Sequence, residues 1–151
     1  ASFLQRDGSV WTTDKEGIIL GLLAIEMVAT TGQTPADHYA TMTAQSGTPV
    51  FQRIDMPCTA EIKRALKGMQ PSDVKATELG GSPIVDIRTT SLFENQPIDG
   101  VKIVTDTGWF VARPSGTENL YKMYAESYAG EEGLARLMED GKAIIESLVA
   151  Q

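Results

Sequence analysis

Four segments in the second half of the chain combine β-branched and aromatic residues with turn signals at their ends, and these segments constrain the fold most. They are Pro83 to Thr89, Val101 to Thr105, Trp109 to Arg113 and Leu120 to Ser127. This composition is typical of β-strands. Only the letters "DTG" lie between the second and third segments, which is short enough for a hairpin. We therefore expect an antiparallel sheet.

A predicted helix lies on each side of these strands. Thr59 can cap the first helix, Pro71 ends it, and apolar residues recur at helical spacing at Ile62, Ala65, Leu66 and Met69. The second helix has one apolar stripe, formed by Leu134, Leu137, Met138, Gly141, Ile145 and Leu148. Helices of this kind cover a sheet on one face. The sequence predicts an α+β fold in which an antiparallel β-sheet of about four strands packs with two helices.

The stretch "TTDKEGIILGLLAIEMVATTG" predicts a helix that is apolar on nearly every face. Thr13 and Glu16 form a capping-box signature at its start, and Gly32 supplies a stop. Such a helix is normally buried on most sides inside a larger body. A second short helix is predicted from Thr34, with Pro35 at its first position. The small residues, glycine and proline of "AQSGTPV" then indicate a boundary, which divides the chain into segments 1–47 and 48–151.

The composition excludes several functional classes. A net charge of −7 argues against a nucleic-acid partner or an anionic membrane surface, because both require a concentrated basic surface. No apolar run approaches the ~18 residues of a membrane span, and the first residues do not resemble a signal peptide, so we expect a cytoplasmic protein. Cys58 and His38 are single residues of their kind, which predicts no disulfide, no metal site and a structural or solvated role for both.

The stretch "WFVARPSGTENLYKMYAES" places unusual chemistry between two predicted strands. Gly116 permits backbone conformations that allow successive N–H groups to bind an anion, while Ser115 and Thr117 add hydroxyl donors. Arg113 ends the incoming strand with a planar fork suited to phosphate, and alternation places Lys122 beside the loop. The alternative is an ordinary turn in which Arg113 pairs with Glu118 on the surface. Both interpretations remain open on spacing alone.

Two stretches resemble the α-D-phosphohexomutases, most closely the bacterial phosphoglucomutases. "FVARPSGTENLYKMYAES" resembles the phosphate-binding loop of their C-terminal domain, with Arg113, Ser115, Gly116, Thr117 and Glu118 in the family's order. "ASFLQRDGSVWTTDKEGI" resembles the segment that follows the sugar-recognition loop of their third domain. The resemblance covers the entire chain. It implies that 1–47 is the tail of the third domain plus a linker and that 48–151 is the C-terminal phosphate-binding domain, which is TATA-binding-protein-like in fold.

The resemblance also implies residue roles. Arg113, Ser115, Gly116 and Thr117 would hold the phosphate of the substrate that is not being transferred, and Lys122 would assist them. Lys15 falls on a family position that holds an active-site lysine, which makes it the one catalytic candidate.

Family members interconvert glucose 1-phosphate and glucose 6-phosphate through glucose 1,6-bisphosphate, with a phosphoserine and Mg²⁺. The metal loop "DGDxDR" and the sugar loop "GEESAG" are absent from this sequence. The resemblance therefore implies a C-terminal fragment that is inactive alone, with Mg²⁺ bound by a domain of the parent protein that is absent here. Its expected partners are phosphosugars and the remaining domains. The alternatives are a stand-alone phospho-ligand binding module and a structural domain in which "RPSGTEN" is only a turn.

Overall fold

The structure, a computed structural model, describes residues 2–45 and 47–149. The chain forms two compact units, Ala1–Gly47 and Thr48–Gln151. Each unit has its own secondary structure.

The first unit contains a small hairpin and two helices. Strands β1 (Ser2–Leu4) and β2 (Val10–Thr12) pair antiparallel, and they are followed by α1 (Ile18–Thr31) and α2 (Pro35–Thr43). The hairpin was not predicted, because strands of three residues are too short for alternation to be recognised. Helix α2 begins as predicted, with Thr34 as its N-cap and Pro35 in the first turn.

The predicted start of α1 is wrong by about one turn. Gly17, and not Thr13, is the N-cap residue, and the helix begins at Ile18. The Glu16 carboxylate accepts hydrogen bonds from the backbone N–H groups of Ile18 at 2.6 Å and Ile19 at 2.9 Å, so it satisfies donors that the helix leaves open. The end is correct, since Gly32 adopts a left-handed conformation and donates to the carbonyl of Val28.

Helix α1 is apolar but uncovered. None of its described residues is buried, and Ile18 is 77% exposed, which differs from the burial expected from the sequence. The described residues of the first unit thus do not supply the larger body that such a helix requires. No single described helix has the length and hydropathy to cross a membrane. Helices α1 and α2 reach the required length and hydropathy only when they are taken together, and they meet at a bend of 77°.

The second unit is built on one antiparallel sheet of six strands in the order β3-β8-β7-β6-β5-β4. Strand β8 therefore lies between β3 and β7, next to the edge strand β3. The elements of the unit are β3 (Val50–Pro57), α3 (Ala60–Gly68), a 3₁₀ turn (Pro71–Asp73), β4 (Glu78–Leu79), β5 (Ser82–Thr90), β6 (Pro97–Thr105), β7 (Gly108–Pro114), β8 (Leu120–Ser127) and α4 (Gly130–Val149).

Helices α3 and α4 cover one face of the sheet and form the core with it. Gly141 lets α4 approach closely, because a Cβ there would lie 2.4 Å from the ring of Phe110. Thr59 caps α3 by accepting from the N–H of Ile62, as predicted. The largest fully buried side chains are Phe110, Leu66, Leu79, Ile103, Met123, Leu137 and Ile145.

The predicted fold class, α+β with an antiparallel sheet and two covering helices, is confirmed. The four predicted strands are all present, but the sheet has six, so the predicted number is too low. The two strands that the sequence did not predict are β4, which has two residues, and β3, which lies at the edge. Alternating burial along β8 places Lys122, Tyr124 and Glu126 on the face opposite to the helices.

Candidate anion-binding site

The loop between β7 and β8 is short and anchored at both ends. Its ends are joined by a hydrogen bond of 2.8 Å from the N–H of Ser115 to the carbonyl of Leu120. The carbonyl of Asn119 accepts a second bond, of 3.0 Å, from the N–H of Cys58, which directly follows β3. The loop is therefore held by the edge strand as well as by its own hairpin.

Two cations flank this loop. Arg113 and Lys122 are register partners on β7 and β8, so their side chains leave the same face of the sheet directly opposite each other. The Lys122 side chain is only 24% exposed, whereas Arg113 is an exposed residue. Like charges placed opposite each other repel, so the pairing favours an anion between or beside them.

Glu118 lies within the loop and engages two of its other groups. Its carboxylate oxygen Oε2 lies 3.3 Å from the Ser115 hydroxyl, which donates to it, and 3.8 Å from the Lys122 ammonium. The backbone N–H of Glu118 donates in turn to the Ser115 hydroxyl oxygen at 3.3 Å. The ion pair considered for an ordinary turn, between Arg113 and Glu118, is not formed; the carboxylate reaches Lys122, four residues along the chain, instead.

The remaining donors of the loop are uncommitted. Within residues 2–45 and 47–149, no hydrogen bond engages the N–H of Gly116, the N–H of Thr117 or the Thr117 hydroxyl, and no ion pair engages Arg113. Two successive N–H groups, a hydroxyl and a guanidinium are the donors that a phosphate accepts from. The loop thus has the hydrogen-bonding capacity for a tetrahedral anion.

The special backbone conformation predicted for Gly116 is not observed. Its φ lies outside the left-handed range that favours glycine, so the backbone does not require this residue. A Cβ added at Gly116 would have nothing within 4 Å. The glycine therefore leaves open space beside the free N–H groups, where a ligand can approach the backbone closely.

Known proteins resemble this chain in sequence and in fold. Residues 59–143 match the family described as "Phosphoglucomutase/phosphomannomutase, C-terminal domain". The chain belongs to this family. The resemblance to the phosphohexomutases is thereby confirmed, and the matched residues include the whole loop from Arg113 to Lys122.

Individual relatives extend the similarity beyond the family match. A phosphoglucomutase of Komagataeibacter xylinus is 46% identical over 151 residues, which is 100% of this chain and 27% of the relative. A probable phosphoglucosamine mutase of Pyrococcus horikoshii is 27% identical and is aligned with 92% of this chain and 27% of its own length. The chain thus spans about a quarter of the length of the curated relatives it matches.

A solved structure shares the fold. A phosphoglucomutase/phosphomannomutase family protein of Burkholderia thailandensis matches 93% of this chain and 27% of its own chain, with a TM-score of 0.57 and 16% identity. At this identity the likeness concerns the fold alone.

Lys15, the catalytic candidate that the phosphohexomutase resemblance implies, lies in the first unit. It follows β2 and precedes α1, its side chain is 91% exposed, and its ammonium lies 3.5 Å from a carboxylate oxygen of Asp14. No other predicted site residue belongs to that unit. The structure therefore groups Arg113, Ser115, Gly116, Thr117 and Lys122 in the second unit, whereas Lys15 belongs to the first unit.

The described residues do not fit a metal ion. No group of three or more His, Cys, Asp or Glu side chains among them could hold one. His38 Nε2 is hydrogen-bonded to the Thr31 hydroxyl at 3.0 Å, which is the structural role predicted for it. Burial raises the pKa of the Cys58 thiol, so this side chain is not poised as a nucleophile.

Sequence reasoning missed a third cation beside the loop. On β3, Asp55 is the register partner of Lys122, and Arg53 is that of Tyr124. Arg53 donates two hydrogen bonds to the Asp55 carboxylate, at 2.8 and 2.7 Å, and its guanidinium lies 5.8 Å from the centre of the Tyr124 ring. These bonds, and more weakly the charge of Lys122, hold the pKa of Asp55 below its ordinary value. The alternation of β3 was the only signal that could have revealed this group.

Proposed function

We propose that this chain is the C-terminal, substrate-phosphate-binding part of a phosphoglucomutase. In this proposal Arg113, Ser115, Gly116, Thr117 and Lys122 hold the phosphate that is not being transferred. The parent enzyme interconverts glucose 1-phosphate and glucose 6-phosphate through glucose 1,6-bisphosphate. The choice of glucose rests on the name of the relative that is 46% identical, since the sugar-reading loop is not part of this sequence.

One observation carries the proposal. The N–H groups of Gly116 and Thr117 have no hydrogen-bond partner among the described residues, and they lie in a loop flanked by Arg113 and Lys122 with open space beside Gly116. An ordinary turn does not need two cations side by side, because their repulsion destabilises the hairpin. A phosphate placed there would neutralise both charges and accept from the free N–H groups.

The geometry suits a mutase in particular. Such an enzyme must hold one phosphate while the other is transferred and then hold the bisphosphate the other way round. Contacts to phosphate oxygens do not distinguish which sugar carbon carries them. A loop built from N–H groups, hydroxyls and cations can therefore accept either end of the bisphosphate. The boundary between the two units, near Gly47, would allow the loop to move relative to the rest of the parent enzyme.

The other chemical groups of the reaction are assigned to parts of the parent protein outside this chain. We assign the phosphoserine and Mg²⁺ to those parts, and we expect no mutase turnover from this chain alone with any added magnesium. Lys15 would contact the substrate or assist proton transfer once the remaining domains are present. We further propose a cytoplasmic enzyme whose partners are phosphosugars and its own other domains, without nucleic acid or membrane.

Titration with inorganic phosphate, followed by amide NMR shifts, tests the proposal. We expect the amides of residues 113–122 to shift together, with a Kd in the millimolar range, because one loop supplies only a few kcal/mol and 1 mM corresponds to about −4.1 kcal/mol. Arg136→Ala is the matched control, since it removes an exposed arginine from α4 and not from the loop. If residues 113–122 do not respond at tens of millimolar, the stretch is only a turn.

A further inference from the structure

The contacts of Glu118 within the loop indicate a further role for this residue. The hydrogen bond donated by the Ser115 hydroxyl and the ion pair of the Lys122 ammonium both go to the carboxylate of this residue. The donors that Glu118 does not reach, on Gly116, Thr117 and Arg113, have no partner among the described residues. The loop donors that have a side-chain partner are therefore those within reach of the Glu118 side chain.

A hydroxyl group has a single proton to donate, and the Ser115 hydroxyl already uses its proton in a hydrogen bond. Because the Ser115 oxygen already accepts from the N–H of Glu118, its own hydrogen is directed to the Glu118 carboxylate. Ser115 is only 7% exposed, so little water is available to accept that proton in place of Glu118. A phosphate that uses the Ser115 hydroxyl must first displace the carboxylate.

We infer that Glu118 is a built-in competitor that occupies part of the phosphate site when the substrate is absent. This inference rests on the proposed function of the loop. The carboxylate supplies two oxygens and a negative charge, which are what a phosphate presents to the same donors. On binding, the phosphate replaces Glu118 at Ser115 and Lys122 and gains the free donors on Gly116, Thr117 and Arg113.

The contacts of Glu118 are suited to exchange. Charge-assisted hydrogen bonds from a hydroxyl to a carboxylate are commonly 2.5–2.7 Å, whereas the Ser115 bond is 3.3 Å and the Lys122 ion pair is 3.8 Å. The Glu118 side chain is also 57% exposed, so it can swing into water without a buried charge being left behind. Such weak contacts stabilise the empty loop and give way to a dianion.

This arrangement has a consequence for turnover. A phosphate site with several free cations holds its ligand tightly, and a mutase must release one end of the bisphosphate to rebind the other. When the phosphate leaves, Glu118 can return to Lys122 and Ser115 and compensate their lost partner. Glu118 therefore sets how firmly the loop holds phosphate, and it does so without touching the sugar.

The variant Glu118→Gln tests the inference. Glutamine has the same shape and can still accept from the Ser115 hydroxyl, but it carries no charge and does not pair with Lys122. We expect inorganic phosphate to bind about two- to ten-fold more tightly to this variant than to the unchanged chain, as measured by amide NMR titration. Glu126→Gln is the control with the same change of charge, because Glu126 lies on β8 outside the loop and its carboxylate accepts from Trp109 and not from a phosphate donor of the loop.

The possible outcomes separate the inference from the function of the loop. Equal tightening in both variants would mean that net charge alone acts, and weaker binding by Glu118→Gln would mean that Glu118 supports the site; both overturn the inference but leave a phosphate site. Absence of binding by both the unchanged chain and Glu118→Gln overturns the proposed function as well. In the background of Lys122→Met, the effect of Glu118→Gln should shrink, because the competition for the ammonium is gone.

Discussion

The substitution Gly116→Ala adds one methyl group to the loop. It tests whether the loop is an ordinary turn or a phosphate site. If "PSGTEN" only reverses the chain, alanine is acceptable there, because the φ of Gly116 lies outside the left-handed range and the new Cβ meets nothing within 4 Å. Replacing glycine by alanine at a compatible position reduces the entropy of the unfolded chain. We expect the free energy of unfolding to stay unchanged or to rise by about 0.4–1 kcal/mol.

Phosphate binding should respond in the opposite direction. N–H donors and phosphate oxygens approach to about 2.7–3.2 Å, so a methyl group beside the N–H of Gly116 and Thr117 would push the ligand away from them. Hydrogen bonds to a charged group contribute about 1.5–3 kcal/mol each. Loss of one such bond corresponds to a Kd increased by a factor of about ten or more.

Two measurements on the same sample check this prediction: thermal denaturation and amide NMR titration with inorganic phosphate. Gly68→Ala is the control, because this glycine also has nothing within 4 Å of an added Cβ and lies at the end of α3, outside the loop. We expect both variants to fold and only Gly116→Ala to lose phosphate affinity. Unchanged affinity would refute the close approach, and a loss of stability above about 1 kcal/mol would refute the conformational argument.

Two further substitutions test other parts of the structure. Arg113→Ala in the full-length parent should lower kcat/KM at least about ten-fold while Tm changes little, because the side chain is exposed and unpaired among the described residues; an equal loss of stability and activity, or a similar loss in Arg136→Ala, would make Arg113 structural. Gly141→Ala should lower the stability of the second unit by about 1–3 kcal/mol, because its Cβ would lie 2.4 Å from the Phe110 ring; an unchanged Tm would show that α4 can move away from the sheet.

The sequence predicted best those features that depend on neighbours along the chain. The stop at Gly32, the caps at Thr34 and Thr59 and the apolar stripe of α4 all appear where they were expected. Each of these signals is a side chain or a glycine that acts on the backbone within one turn of helix. The start of α1 is the exception, because Glu16 could act either in a capping box with Thr13 or directly on Ile18 and Ile19.

Strand β3 shows where sequence reasoning failed and why. Its outer position in the sheet leaves most of its residues exposed or half-buried, so the segment lacks the run of apolar residues that identifies a central strand. Its partner β8 is distant along the chain, so no local turn signals the pairing. As a consequence Arg53 and Asp55, which join the charges around Lys122, were not among the predicted site residues.

The sequence by itself determined the fold class, the family and the set of donors in the loop, since strand composition, helix periodicity and the order of residues from Arg113 to Lys122 are properties of the chain. The tertiary structure alone decided how those donors are used. Strand register places Arg113 opposite Lys122, and the turn directs Glu118 to Ser115 and Lys122 and not to Arg113. The physical reason is that hydrogen bonds and ion pairs act over a few ångströms, and only the folded backbone determines which groups come within that distance.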